Sequence, residues 1–317
     1  MPEVSVIIPN YNHERFLDQR ITSVLNQTFQ NFELIILDDC STDKSKEVIE
    51  RYRDNDKVSH IIFNEKNSGT TFKQWQKGIS LAKGNYIWVA ESDDWCAPVF
   101  LATAIDTLKS DPNLALFFSA SNQVDEHDKV LSNLLWWTSD LPRYNWEADF
   151  VTSGDELIET CLLKKNVIVN ASAVVFRKSY LQESAFKLIE RLKKSGDWLF
   201  WILLIKSNKV AYNALALNYF REHTNSTRNY ASAESRLTKM VEEYYVISML
   251  YDVMQKPELL LYVKNAYNRL FLRTSIKDYQ VLARLFKELL NKKMSFSNFL
   301  CKRYTMKATG RLNKVFK

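Results

Sequence analysis

The sequence predicts an α/β protein: a Rossmann-like, mostly parallel sheet flanked by helices, followed by a C-terminal helical extension. Three observations predict it. Over the first 120 residues, short β-branched and apolar runs alternate with segments of helical periodicity, the pattern of strands joined by single crossover helices. Those runs are mostly apolar, as in strands covered on both faces. From about Ala231 onward the pattern is helical only, with Pro257 as a break.

The elements follow in order. Val4–Pro9 (VSVIIP) reads as a buried strand, and Arg15–Gln27 as a helix with Phe16, Ile21, Val24 and Leu25 on one face. Phe32–Asp38 is the second strand. Ser41 or Thr42 is the expected cap of the next helix, Asp43–Asp54, with Asp43 as an acid in its first turn. Val58–Asn64 is a strand, Gly69–Ala82 a helix ended by Lys83-Gly84-Asn85, and Tyr86–Ala90 a strand. Pro98 suits the first helical position of a segment running to about Ser110, and Ala115–Ser119 is the fifth strand. Residues 121–170 are less regular and carry Trp136, Trp137 and Trp146, either as an insertion packed on the sheet or as an aromatic lid over a ligand. Ser172–Phe176 is a strand, Gly196–Lys206 a short apolar helix that opens with an acid, and Val210–Leu217 a strand.

Composition narrows the classes. The chain has 317 residues, which suits one large or two smaller domains; the natural division is 1–230 and 231–317. With 46% hydrophobic and 25% charged residues, wholesale disorder is excluded. Six glycines and no GxGxxG exclude a dinucleotide fingerprint. The longest uncharged apolar run, 198–205, is far short of a bilayer span. The N-terminus lacks the basic region of a secretory signal, and four scattered cysteines form no CxxC pair. The expected location is therefore a reducing cytoplasm. Residues 255–317 carry a net charge of +12 and the rest of the chain −6, an asymmetry that suggests two jobs.

In an open parallel sheet, ligands meet the carboxyl ends of the strands. Those ends carry Pro9-Asn10-Tyr11-Asn12, Asp38-Asp39, the Asn64–Gly69 stretch and Glu91-Ser92-Asp93-Asp94. Two acidic clusters in one crevice repel unless a cation joins them. Hard divalent ions such as Mg2+ or Mn2+ suit that pattern, sharing carboxylates with phosphate and water.

Taken together, VSVIIPNYN, FELIILDDCSTD, NSGTTFKQWQKGISLAKGNYIWVAESDDW and SGDWLFW resemble the large family 2 of inverting glycosyltransferases, which has the GT-A fold. The resemblance covers residues 3–225. It implies a nucleotide-diphosphate sugar donor (a UDP-sugar), Mn2+ or Mg2+, and an acceptor hydroxyl on a glycan or lipid-linked molecule in cell-surface glycan synthesis. Pro9, Asn10 and Tyr11 would line the nucleoside site, with Tyr11 against the base, and Asp39 would contact base or ribose. Asn67, Gly69 and Lys73 would face the nucleotide. The family's DxD motif falls on Glu91-Ser92-Asp93. Glutamate in its first position leaves Asp93 as the main metal ligand, Asp94 as second choice, and Glu91 acting through ribose or metal waters.

The family's catalytic base falls on Asp197 of Gly196-Asp197-Trp198, although by residue type alone Asp197 suits a helix cap. Trp198 is either core or a sugar platform, and Trp201 core. Arg221-Glu222-His223 resembles an Arg-x-His segment of relatives, so that Arg221 or His223 would meet diphosphate or metal. His13 and His60 read as surface residues. The basic C-terminal helices are either a solvated cap or a peripheral attachment to the anionic inner leaflet. No nucleic-acid-binding motif is present. The alternatives are a sugar nucleotidyltransferase, whose Gly-rich basic phosphate loop is missing, and a catalytically silent subunit of the same fold.

Overall fold

Seven consecutive buried residues, Val4–Asn10, form β1 at the heart of the sheet in the computed structural model of the chain. The structure describes residues 1–223, 232–254, 256–290, 292 and 295–302. The expected division at 230 and the tail beyond 302 lie outside the described residues.

After β1 come α1 (Glu14–Leu25), β2 (Phe32–Asp38), α2 (Ser45–Glu50), β3 (Val58–Phe63), α3 (Thr71–Leu81) and β4 (Tyr86–Val89). Then follow β5 (Trp95–Cys96), α4 (Phe100–Ser110), β6 (Leu114–Val124), β7 (Val130–Asn133), β8 (Phe150–Ser153), α5 (Gly154–Leu157) and β9 (Val174–Arg177). The last elements are α6 (Ser184–Ile189), α7 (Gly196–Ile205), β10 (Lys209–Arg221), α8 (Ala233–Met254), α9 (Leu260–Arg273) and α10 (Tyr279–Leu290).

The strands form one ten-stranded sheet in the order β3-β2-β1-β4-β9-β6-β10-β5, with β7 beside β6 and β8 beside β10. β1 pairs in parallel with both β2 and β4. The chain leaves β1 between these two neighbours, so the crevice beyond its carboxyl end is the ligand position of such sheets. On the face covered by α1, Phe16, Leu17, Ile21 and Val24 are buried, each worth roughly 1.5–3 kcal/mol on removal from water.

The sheet is mixed rather than uniformly parallel. β9 runs antiparallel to both β4 and β6. Residues 121–170 contain the end of β6, its hairpin with β7, and β8 antiparallel to β10. Trp146 is buried and stacks edge-on to Phe150 and Tyr212, which is packing, not a lid; Trp136 is exposed. Two helix starts differ from expectation. Ser41 bonds back to Asp38, and Asp43 takes the Ser45 N–H at 3.0 Å ahead of α2. Pro98 precedes α4 without entering it.

The chain forms two compact units. The first comprises Met1–Glu190 and Phe200–Thr224, the second Arg191–Leu199 and Asn225–Lys317. Arg191–Leu199, with the first turn of α7, groups with the second unit. Among the described residues, no helix is long and apolar enough to cross a membrane.

Candidate active site

The loops after β1, β2 and β4 are tied together before any ligand is considered. Asn10 donates through Nδ2 to Asp38 at 2.7 Å and to Ser41 at 3.2 Å. Asn12 holds a left-handed backbone (φ 57°) and accepts the Thr42 N–H on Oδ1. Pro9 and Asn10 are buried, whereas Tyr11 is 45% exposed; of the three, Tyr11 has its side chain open to solvent.

Asp39 is buried, and its carboxylate is engaged by Asn64 Nδ2 (2.7 Å), Gln74 Nε2 (2.8 Å), and the Ser68 N–H and O–H. It orders the loop from Asn64 to Thr70. In that loop Asn67 Oδ1 accepts the Gly69 N–H at 2.8 Å while Gly69 takes φ 85°, a conformation that suits glycine. Lys73 is exposed, with its ammonium 3.0 Å from the Ser68 carbonyl.

The acidic loop after β4 separates three carboxylates by environment. Glu91 Oε1 accepts the Trp75 indole N–H at 2.9 Å. Burial and then Asp93 push the Glu91 carboxyl up to about 8, with Trp75 pulling the other way. The glutamate side chain is long enough to reach this buried indole. Asp94 is 1% exposed and accepts Asn170 Nδ2 (2.8 Å), Ser172 Oγ–H (2.6 Å) and the Arg221 N–H (3.0 Å), with the Arg20 guanidinium 4.0 Å away. Its oxygens are committed within the protein, so it is not the reserve metal ligand expected. Asp93 keeps 18% of its side chain exposed. Burial opposes its charge, but His13 and the hydrogen bond from His223 outweigh that and hold the carboxyl down at about 2.

His223 Nε2 lies 3.1 Å from Asp93 Oδ2, and His13 Nδ1 lies 2.8 Å from Ser92 Oγ. A ring nitrogen from each histidine and a carboxylate oxygen of Asp93 all lie within 4.8 Å of one another. His13 is thus a site residue rather than the surface residue expected. A signal was present: it follows β1 by three residues, at the crevice end of the sheet. The set of two imidazoles and one carboxylate fits a divalent cation. It favours Mn2+ over Mg2+, because Mg2+ strongly prefers oxygen ligands whereas imidazole suits softer transition ions.

Three expected ligand residues, Arg221, Ser92 and Trp198, are instead engaged or buried within the protein. Arg221 is 1% exposed, and its guanidinium is engaged within the protein. It donates to the Asp93 carbonyl (2.8 Å), the Asp125 carbonyl (3.0 Å) and Gln19 Oε1 (2.6 Å), and pairs with Asp128 at 2.7 Å. Its work is to hold the acidic loop, together with buried Arg20, which the sequence reading passed over and which donates to the Glu91 carbonyl at 2.8 Å. Ser92 is buried and positions His13 rather than a nucleotide. Trp198 is buried and offers no open ring face for a sugar, and Trp201 is buried among Trp75, Phe176 and Phe200. Asp197 stands, half-buried, in the first turn of α7, within the second unit.

The profile of Glycosyl transferase family 2 matches residues 5–170, more than half of the chain, and the chain belongs to that family. An uncharacterized glycosyltransferase of Methanocaldococcus jannaschii is 26% identical over 65% of this chain and 66% of its own length. The poly(ribitol-phosphate) beta-N-acetylglucosaminyltransferase TarS of Staphylococcus aureus is 27% identical over 74% of this chain and 38% of its own. The chain spans from about a third to two thirds of the length of the curated relatives it matches most strongly. The crystal structure of S. aureus TarS 1–349 superposes with a TM-score of 0.65 at 19% identity, over 92% of this chain and 80% of that one, and so shares the GT-A fold. A complex of that TarS fragment with UDP-GlcNAc superposes with a TM-score of 0.62 at 17% identity, over 98% of this chain and 92% of that one.

Proposed function

We propose that the chain is a metal-dependent inverting glycosyltransferase that moves a sugar from a nucleotide-diphosphate sugar, a UDP-sugar, to an acceptor hydroxyl in cell-surface glycan synthesis. The observation that carries this reading is the convergence of His13, Asp93 and His223 at the carboxyl end of the sheet. The UDP-GlcNAc complex of TarS supports a UDP-sugar donor. A mannosyltransferase from Pyrobaculum calidifontis of related fold binds GDP-Man with Mn2+, which supports a divalent metal.

His13, Asp93 and His223 would hold the metal. When bound, it offsets the negative charge gained by the departing nucleoside diphosphate. Tyr11 flanks the base, the loop ordered by Asp39 and Asn67 frames the nucleoside, and exposed Lys73 faces the phosphates. Asp197 takes the proton of the acceptor hydroxyl as its oxygen attacks the anomeric carbon opposite the leaving group, which inverts that centre.

Mn2+ should tighten UDP binding more than Mg2+ does, and EDTA should abolish transfer. A wild-type transfer rate that EDTA leaves unchanged would remove the metal assignment. Stoichiometric donor binding without turnover on any glycan or lipid-linked acceptor would favour the silent-subunit reading.

A second proposal concerns location. Leu260, Leu261, Leu272 and Ile276 are exposed, interspersed with exposed Lys264, Arg273 and Lys277. Apolar side chains among basic ones suit the anionic inner face of a membrane, where lipid-linked acceptors reside.

A further inference from the structure

Glu242, in the middle of α8, is fully buried in the second unit. A buried carboxylate is costly unless hydrogen-bonded, and its bonds are specific. Oε1 accepts the Lys193 N–H at 2.8 Å, and Oε2 accepts the Lys194 and Ser195 N–H groups at 2.8 Å each. Three consecutive amides thus converge on one carboxylate. Burial raises the Glu242 carboxyl above its ordinary range, while the three amides pull it down.

Those amides end where α7 begins. The Ser195 carbonyl accepts the Leu199 N–H at 3.4 Å, which puts Ser195 at the cap position of the helix, two residues before Asp197. Fixing three successive peptide planes just ahead of a helix fixes the direction in which its first turn emerges. The carboxylate also lies at the positive end of that helix, where it is electrostatically favoured.

We propose that Glu242 is a positioning residue: from the C-terminal helical unit it clamps the 193–195 turn and so sets the placement of Asp197. The proposal rests on the assignment of Asp197 as general base. It also gives the helical unit a part in the reaction beyond that of an appendage.

The test uses the full chain and three variants, Glu242→Gln, Asp197→Asn and the double variant. Glutamine keeps the volume but turns an N–H toward an amide donor. Expected for Glu242→Gln is a fall in transfer kcat of about 10–100-fold, the cost of a misplaced catalytic group, with UDP affinity and binding stoichiometry unchanged. Amide exchange of residues 193–195, followed by mass spectrometry, should accelerate. In the Asp197→Asn background the same substitution should cause no further loss, since both act through one group. Near wild-type kcat for Glu242→Gln beside an impaired Asp197→Asn overturns the clamp alone. So does unchanged exchange at 193–195, or a multiplicative loss in the double variant. Normal turnover by Asp197→Asn overturns the base assignment itself, and the proposal with it. Should Glu242→Gln not fold, Glu242→Asp, which keeps the charge and shortens the reach, takes its place with the same outcomes.

Discussion

Asp93 and Asp94 are the same residue type one position apart, yet the fold gives them opposite tasks. Asp94 is enclosed by Asn170, Ser172, Arg221 and Arg20, whereas Asp93 reaches solvent beside two imidazoles. Asp94→Asn would turn an amide N–H toward hydrogen-bond donors and leave Arg20 without its charge partner. Breaking a buried pair in this way costs about 3–5 kcal/mol, so denaturant melts should show a large loss. Asp93→Ala, which gives up only its contacts with His13 and His223, should cost less stability than Asp94→Asn and abolish Mn2+ binding, read by electron paramagnetic resonance. The reverse assignment of the two losses would exchange their roles. Glu91→Asp restores the family's usual acid but falls short of Trp75. It should lower stability by about 1–3 kcal/mol through the unpaired indole N–H, with Mn2+ binding retained. Asp197→Asn keeps the size and polarity of the side chain, so Tm and donor Kd should hold while transfer falls by about 10²–10⁴. Near wild-type transfer by that variant would sink the base assignment.

At the scale of elements, the parallel half of the sheet was legible because its strands are apolar on both faces and separated by clear helical periods; the predicted Phe32–Asp38 strand matches β2 residue for residue. β9 was legible as a strand but not in its direction, since a short apolar run reads alike in either orientation. Within the site, the acidic loop and the crevice followed from strand-end position. The separation of Asp93 from Asp94 did not, because it depends on Asn170 and Ser172, more than 70 residues away. Nor did the buried charge of Glu33 within apolar β2. Glu33 accepts Ser5 Oγ–H at 2.6 Å and the Lys83 N–H at 2.7 Å, while Ser5 Oγ accepts the Gly84 N–H. The cluster ties β2, β1 and the α3–β4 turn together. Burial works to raise the Glu33 carboxyl, but Ser5 and Lys83 hold it net below its ordinary 4.5. A folded-state pKa below the unfolded one adds stability above that unfolded value, lost as pH falls through the folded one. Melting temperatures from about pH 7 down to about pH 3 should show a component lost below 4.5 that Glu33→Gln lacks. In the same turn, a Cβ at Gly84 would meet the β1 backbone at 2.6 Å. Gly84→Ala should therefore destabilise by about 1–3 kcal/mol, measured by denaturant melts.

Over the whole molecule, charge is segregated. The candidate metal ligands His13, Asp93 and His223 lie in the first unit, in a stretch of chain that is net acidic, while residues 255–317 carry +12. Such an excess destabilises a compact unit through self-repulsion, unless an anionic partner offsets it. The exposed leucines of α9 argue for a partner with an apolar interior as well as anionic charge, which a lipid surface offers and a nucleic acid does not. Each basic side chain near an anionic leaflet contributes about 1 kcal/mol, and the attraction fades within a Debye length of roughly 8 Å at physiological salt. The full chain should therefore sediment with phosphatidylserine-containing vesicles and not with purely zwitterionic ones, and less so as salt rises. Lys264→Glu, Arg273→Glu and Lys277→Glu together should weaken that binding strongly and leave UDP affinity unchanged. Leu261→Ser with Leu272→Ser should weaken it at every salt concentration, because the apolar contribution is not screened. Equal sedimentation of wild type and the charge-reversed chain, at low and at physiological salt, would leave the basic helices as a solvated cap. The function of the second unit would then rest on its grip on the 193–195 turn alone.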